Sequence, residues 1–207
     1  MTETPGQIII LNGTSSSGKS SIARELQSIL TGFTVHTGID HFVQMLPNDF
    51  VVISEDPNPA AVEGLLMVTA GGGKRVTEMR LGPQAVLFKK SMYSAAKTLA
   101  SNGFNVIVDD VILDERVLQY ISDLLAKDAY FIGIKCSKSE AIRREKERGD
   151  RFPGLVEAQF NIVHRHGQYD LECDTSTCSP AECATLIKKL ISETHTPEAL
   201  QSLKKQI

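Results

Sequence analysis

Gly13-Thr14-Ser15-Ser16-Ser17-Gly18-Lys19-Ser20 fills every fixed position of the pattern GxxxxGKS. Each fixed position has a chemical reason. The glycines let the backbone wrap closely around a phosphate, with N–H groups turned inward at the β-phosphate. A helix starting here adds the positive end of its dipole. Lys19 has the length to reach the β- and γ-phosphates, and the Ser20 hydroxyl is a hard oxygen ligand for Mg²⁺. A turn that merely started a helix would need neither Lys nor Ser at these places. We therefore assign Gly13, Thr14, Ser15, Ser16, Ser17, Gly18, Lys19, Ser20 and Ser21 to ATP binding. Lys19 also serves the transfer step, and Ser20 the metal. The pattern does not say whether the γ-phosphate goes to water, a metabolite or a protein.

Other charged residues bear on that question. Gly38-Ile39-Asp40 follows a second short apolar run. In open α/β sheets, ligands bind beyond the carboxyl ends of the strands. Asp40 is thereby set opposite the phosphate loop, where an acceptor hydroxyl must lie. A carboxylate there can align the hydroxyl and take its proton, which makes Asp40 the candidate base; the competing reading is a helix cap. Asp109 and Asp110 end the apolar run Val106–Val108, so one of them should hold Mg²⁺ or its water shell. Side chains alternate along a strand, so the two face different ways. We place Ser20 and Asp110 on the metal, with Asp109 as the alternative.

Arg144, Arg148 and Arg151 are four and three apart and share one face if their helix continues. Arg148-Gly149-Asp150-Arg151 reads as a helix end opening into a short lid around 148–154. The planar guanidinium fork suits phosphate. Arg148 and Arg151 are expected on the nucleotide, with Arg151 also catalytic. The competing reading is a solvated charged face, because Glu145, Lys146 and Glu147 are interleaved. His164 and His166 have no metal-ligand spacing and read as structural. Phe42 is the aromatic expected in a pocket wall.

These residues need a scaffold, and strand and helix patterns alternate as in a parallel α/β sheet. Gln7–Asn12 is a short β-branched run suited to a strand buried on both faces, and Lys19–Leu30 follows with helical spacing. Further strands are predicted over Phe33–Thr37, Asn105–Val108, Tyr130–Lys135 and Tyr169–Cys173. Helices are predicted over His41–Leu46, Pro83–Ser101, Asp114–Ala126 and Leu155–His166, with a short last one after Thr196-Pro197-Glu198. Ser137 with Glu140 suggests a capping box opening a helix to Arg148, and Ser179-Pro180-Ala181-Glu182 another, running to about Ser192. Residues 48–82 carry Asp56-Pro57-Asn58-Pro59 and Gly71-Gly72-Gly73. We expect an irregular, substrate-side excursion with a hairpin across the glycines.

The chain of 207 residues fits a single domain, 1–207. Its 42% hydrophobic and 23% charged residues are ordinary for a soluble protein, and a net charge of -3 argues against a nucleic-acid partner. No apolar run approaches the roughly 18 residues of a membrane span, and Met1–Gln7 lacks the marks of a signal peptide, so a cytoplasmic protein is expected. Cys136, Cys173, Cys178 and Cys183 form no CxxC pair and read as reduced thiols. Leu200, Leu203 and Ile207 would pack on the body or on a second subunit of a homo-oligomer.

Taken in order, the motifs resemble a known family. The residues are Ile9–Ser20, Gly38-Ile39-Asp40, Val108-Asp109-Asp110-Val111, Arg144-Glu145, Arg148-Gly149-Asp150-Arg151, Val163-His164, Tyr169-Asp170 and Asp174-Thr175. The set resembles the chloramphenicol 3-O-phosphotransferase family over roughly residues 8 to 190. The resemblance implies a nucleoside-kinase-like P-loop fold, a three-layer α/β sandwich on a central, five-stranded parallel sheet. It also implies ATP- and Mg²⁺-dependent phosphorylation of a primary alcohol on an aromatic antibiotic, with Asp40 matching the general base and Arg151 the lid arginine. Asn48–Leu81 departs from the family pattern, so the reaction type carries over better than the acceptor. A kinase of a sugar, nucleoside or other metabolite is the competing enzyme reading, and a nucleotide-binding regulatory module the competing reading of another class.

Overall fold

The computed structural model describes residues 4–59, 62–194 and 196–206. The chain runs β1 (Ile8–Asn12), α1 (Lys19–Ile29), β2 (Thr34–Gly38), α2 (Ile39–Val43), β3 (Val51–Ser54), β4 (Leu65–Ala70), β5 (Arg75–Leu81), α3 (Pro83–Ser101), β6 (Asn105–Asp110), α4 (Glu115–Leu125), β7 (Ala129–Lys135), α5 (Lys138–Arg148), α6 (Leu155–Phe160), β8 (Leu171–Asp174), α7 (Pro180–Glu193) and α8 (Ala199–Lys204). Five strands form the main sheet in the order β2-β6-β1-β7-β8, all parallel.

The central strand β1 is buried at every position, as its unbroken apolar run requires. Ile8 and Ile10 join Val106, Val108 and Phe131 under α3, α4 and α8. Ile9 and Leu11 join Ile107 and Ile132 under α1 and α7. The result is a helix–sheet–helix sandwich. The alternation also fixes the two aspartates at the end of β6. Asp109 follows Ile107 on the α1 face, and Asp110 follows Val108 on the α3 face.

Local chemistry sets the helix ends. Asp114 caps α4 by accepting from the Arg116 N–H, and the box of Ser179 and Glu182 at α7 is complete. The box expected at α5 is half made. Ser137 accepts from the Glu140 N–H at 3.3 Å, but the Glu140 carboxylate turns to Arg143 and Arg144. Gly149 then stops α5 in the left-handed region with φ 68. Arg144 and Arg148 thus share a helix, and Arg151 lies beyond its end. The helix expected over 155–166 is helical only to Phe160 and continues as turns.

The stretch 48–82 is more regular than expected. It forms a second sheet, β3-β4-β5, with β4 and β5 antiparallel and β3 parallel to β4. The expected hairpin is present: Gly71, Gly72 and Gly73 all have positive φ, at 68, 74 and 75. This sheet packs against α6. Leu200 and Leu203 are buried on the body, where α8 meets α4, while Ile207 lies outside the described residues. No helix among the described residues is long and apolar enough to cross a membrane.

Candidate active site

The phosphate loop passes very close to β7. A Cβ on Gly13 would sit 2.4 Å from the Ile134 carbonyl oxygen, so only glycine fits. Ser16 at φ 59 and Gly18 at φ 92 are left-handed. Such turns aim successive N–H groups into one hollow. Ser15, Ser16, Gly18, Lys19, Ser20 and Ser21 line the cleft there. Gly13, Thr14 and Ser17 do not; they support the loop from behind. Lys19 folds back on the loop and donates to the carbonyls of Gly13 at 3.0 Å and Thr14 at 2.7 Å. Burial lowers its pKa, opposed by the charges of Asp109, Asp110 and Asp40. The Ser15 N–H donates to Gln159 Oε1 at 2.7 Å. Gln159, buried on α6, was not among the residues singled out from sequence.

Ser20 Oγ donates to Asp109 Oδ2 at 2.5 Å. Burial pushes the Asp109 carboxyl up, but the Lys19 charge, the Ser20 hydrogen bond and the His36 ring, whose Nε2 stands 3.7 Å from Oδ2, outweigh it and hold it below the usual range. Asp110, expected on the metal, is placed elsewhere. It is fully buried, and its carboxylate accepts from Lys89 Nζ at 2.8 Å, Tyr93 OH at 2.6 Å and the Val111 N–H at 2.7 Å. The reason is strand alternation, which gives Asp109 the face that α1 covers. Ser20 Oγ and an ionised Asp109, beside a hollow of N–H donors, are a hard-oxygen pair of the kind Mg²⁺ and a polyphosphate take together.

Asp40 lies in the first turn of α2, and Arg151 in the loop after α5. The two meet: the Arg151 fork grips the carboxylate, with Nη1 3.1 Å from Oδ1 and Nη2 on Oδ2. Hydrogen bonding to Asp40 holds the Arg151 guanidinium above its ordinary pKa. The residue expected on the acceptor and the residue expected on the phosphates are therefore paired across the cleft. Arg148 also lines the cleft and pairs with Asp150 at 2.8 Å. The loop is anchored at its far end. Buried Glu145 accepts from the N–H groups of Gly154 at 3.0 Å and Val156 at 2.9 Å. The Val76 N–H of β5 donates to the Pro153 carbonyl at 2.8 Å.

The front of the phosphate loop, Asp40, Asp109, Arg148, Arg151 and Gln159 all line one cleft of about 550 Å³. Away from the phosphate loop its wall is apolar, built from Val43 and Leu46 near α2, Val51, Leu65, Met67 and Met79 of the second sheet, and Phe88 of α3. Phe42 does not line it. Its ring packs edge-on behind Phe88, with centroids 5.7 Å apart. His164 and His166 lie behind β1, where His164 Nδ1 is 2.6 Å from Tyr169 OH and Asn12 Nδ2 donates to the same oxygen at 2.8 Å.

Known proteins share this fold. A sugar kinase from a Janibacter species superposes with a TM-score of 0.63 at 13% identity, covering 92% of this chain and 97% of its own. A Mycobacterium tuberculosis APS kinase, solved with AMPPNP and APS, gives 0.59 at 17% identity, covering 91% and 98%. Both show the P-loop kinase fold. Sequence carries the likeness further. Two Mycobacterium tuberculosis relatives, each named "Putative O-phosphotransferase", are 32% identical over 202 residues, 97% of this chain and 89% of theirs. The model of the chloramphenicol phosphotransferase-like proteins matches residues 6–192, a span that holds the phosphate loop, Asp40, Asp109 and the arginine loop together. On that match and those relatives, the chain belongs to the chloramphenicol phosphotransferase-like family.

Proposed function

We propose that the protein transfers the γ-phosphoryl group of ATP to a hydroxyl of a small, largely apolar molecule, chloramphenicol or a compound of similar character, and so inactivates it. One observation carries this reading. The phosphate hollow and the apolar wall share a single cleft, and Asp40 and Arg151 stand within it, close enough to Lys19 for their charges to act on its protonation. A sugar or nucleoside would call for several donors and acceptors along the wall, and the wall is chiefly Val, Leu, Met and Phe, with Lys89 among them.

The acceptor oxygen forms a bond to the γ-phosphorus while the bond to the bridging oxygen of ADP breaks. The hydroxyl proton passes to the Asp40 carboxylate. Ser20 and Asp109 would hold Mg²⁺, which would supply neutralising charge on the phosphates. Lys19 exchanges its two carbonyl partners for phosphate oxygens. Arg151 turns from Asp40 to the phosphates, which frees the base and closes the loop over the nucleotide; Arg148 assists it. Water is thereby kept from the γ-phosphate.

A panel of hydroxyl compounds, chloramphenicol included, tests for ATP-dependent phosphorylation. The Asp40→Asn and Arg151→Ala variants then separate the roles. Asp40→Asn should lose roughly 10²–10⁴-fold in transfer and retain its ATP affinity. Arg151→Ala should weaken ATP use with every acceptor. Loss of transfer and ATP affinity together in Asp40→Asn would assign Asp40 to the fold or the metal instead.

A further inference from the structure

Lys89 follows Phe88 on α3, and its side chain is 8% exposed. Nζ donates to Asp110 Oδ1 and to the Val111 carbonyl, each at 2.8 Å. An ammonium has three donors, so one N–H remains, and the surface that Lys89 keeps lines the cleft. Leu81, Ala85, Phe88, Val111 and Leu113 line the same cleft. A buried ion pair is weak support for a fold, because apolar residues of the same volume serve as well or better. Asp110 already has Tyr93 and the Val111 N–H as donors. A cation set in an apolar wall, with one donor spare, is therefore a candidate for ligand recognition.

The pairing decides which ligand group it fits. Asp110 neutralises Lys89 at 2.8 Å. A ligand carboxylate would meet a pair with no net charge and a second anion beside it. A carbonyl or hydroxyl oxygen needs only the one free N–H. Lys89 and Asp110 lie on the α3 face of the sheet, whereas Ser20 and Asp109 lie on the α1 face.

We propose that Lys89 determines acceptor specificity by donating its free N–H to an uncharged oxygen of the acceptor, one other than the hydroxyl that receives the phosphoryl group. The acceptor class is then an apolar alcohol with a second neutral oxygen. This inference rests on the proposed acceptor end of the cleft.

The test uses two probes, 3-phenylpropane-1,2-diol and 3-phenylpropan-1-ol, which differ by one oxygen. Their affinities are measured by NMR titration of the full chain, and their phosphorylation with ATP in parallel. Lys89→Met alone would strand the buried Asp110 carboxylate, so the informative protein is Lys89→Met with Asp110→Asn, checked for folding by its melting transition. The wild type should prefer the diol by roughly 10- to 100-fold, as for a hydrogen bond to a charged donor. The double variant should bind both alike, with its KM for ATP unmoved. No preference in the wild type, no binding of the diol, or a preference that survives in the folded double variant overturns the role of Lys89. Preference lost as expected, with neither probe phosphorylated, upholds Lys89 and counts instead against the phosphotransferase reading.

Discussion

The two ends of the cleft are built in opposite ways. The phosphate end comes from consecutive residues, 13 to 21, joined by Asp109. Its working groups are backbone N–H donors, one ammonium and one hydroxyl–carboxylate pair held by a local turn, with Arg148 and Arg151 added from the loop after α5. The proposed acceptor end draws on α2, the second sheet and α3, and offers chiefly apolar area, with few directed bonds. Fixed charges aimed at the reacting group stabilise a transition state, and each is hard to replace. Apolar contacts act mainly on binding and are shared among many side chains. One substitution should therefore be severe at the first end and graded at the second.

Lys19→Ala presses hardest on that contrast. Removing the ammonium takes a charge from the transferring group and should raise the barrier by on the order of several kcal/mol, a loss of 10³-fold or more in kcat. The carbonyls of Gly13 and Thr14 lose a donor, so a melting curve must show that the variant folds. A folded variant with near-normal turnover would falsify the assignment of this loop to the chemistry.

The same contrast explains what the sequence could show. The turn of the phosphate loop and the helix after it were legible because both are local, although Gly13, Thr14 and Ser17 stand behind the cleft rather than in it. The alternating elements and the five-stranded parallel sheet were legible too, from apolar runs and caps. Asp40 and Arg151 were legible as candidates, but not their pairing, since 111 positions separate them in the chain. The choice between Asp109 and Asp110 depends on which face of β6 meets α1. That is a tertiary fact, and Asp110 was placed on the metal for want of it. Phe42 was chosen for its neighbour Asp40, while Phe88, one helix away, is the ring that reaches the cleft. In the second sheet, Pro57, Pro59 and three glycines masked strands whose partners lie within the same excursion. Gln159 carries no motif; only the packing of α6 against the loop brings it to Ser15.

Phe88→Ala moves the comparison to the other end. The ring is half-buried and stands against Phe42 at 5.7 Å and Phe50 at 6.1 Å. Its loss should reduce kcat/KM for an apolar acceptor roughly 10- to 100-fold, chiefly through KM, and leave the KM for ATP within a factor of about two. Equal damage to ATP and acceptor parameters would mean that the two ends do not work as separate halves.

The smallest effect on activity should come from the histidines behind β1. Burial, aided by the Lys135 charge, lowers both His164 and His166 to about 4. Each is therefore neutral in the fold, whereas an unfolded histidine titrates near 6.5. The unfolded chain binds more protons between these values, so stability rises with pH there. The contribution is complete above about pH 6.5 and is lost as pH falls towards 4. Asp109 and the other carboxylates with lowered pKa values lose stability mainly below about 5, so the window from about 5 to 6.5 belongs to the histidines. The network gives the mechanism. Tyr169 OH lies 2.6 Å from His164 Nδ1, and a proton on that nitrogen removes the acceptor for the phenol. Urea unfolding at several pH values from 7.5 to 4.5 should show a positive slope, roughly 1 kcal/mol per pH unit after allowance for partial exposure. His164→Gln with His166→Gln should flatten that slope by half or more. At pH 7.5 the same variant should keep kcat/KM within about threefold, since neither ring lines the cleft. An unchanged slope in the folded variant would show that these two histidines are not neutral in the fold, and that the acid sensitivity has another source.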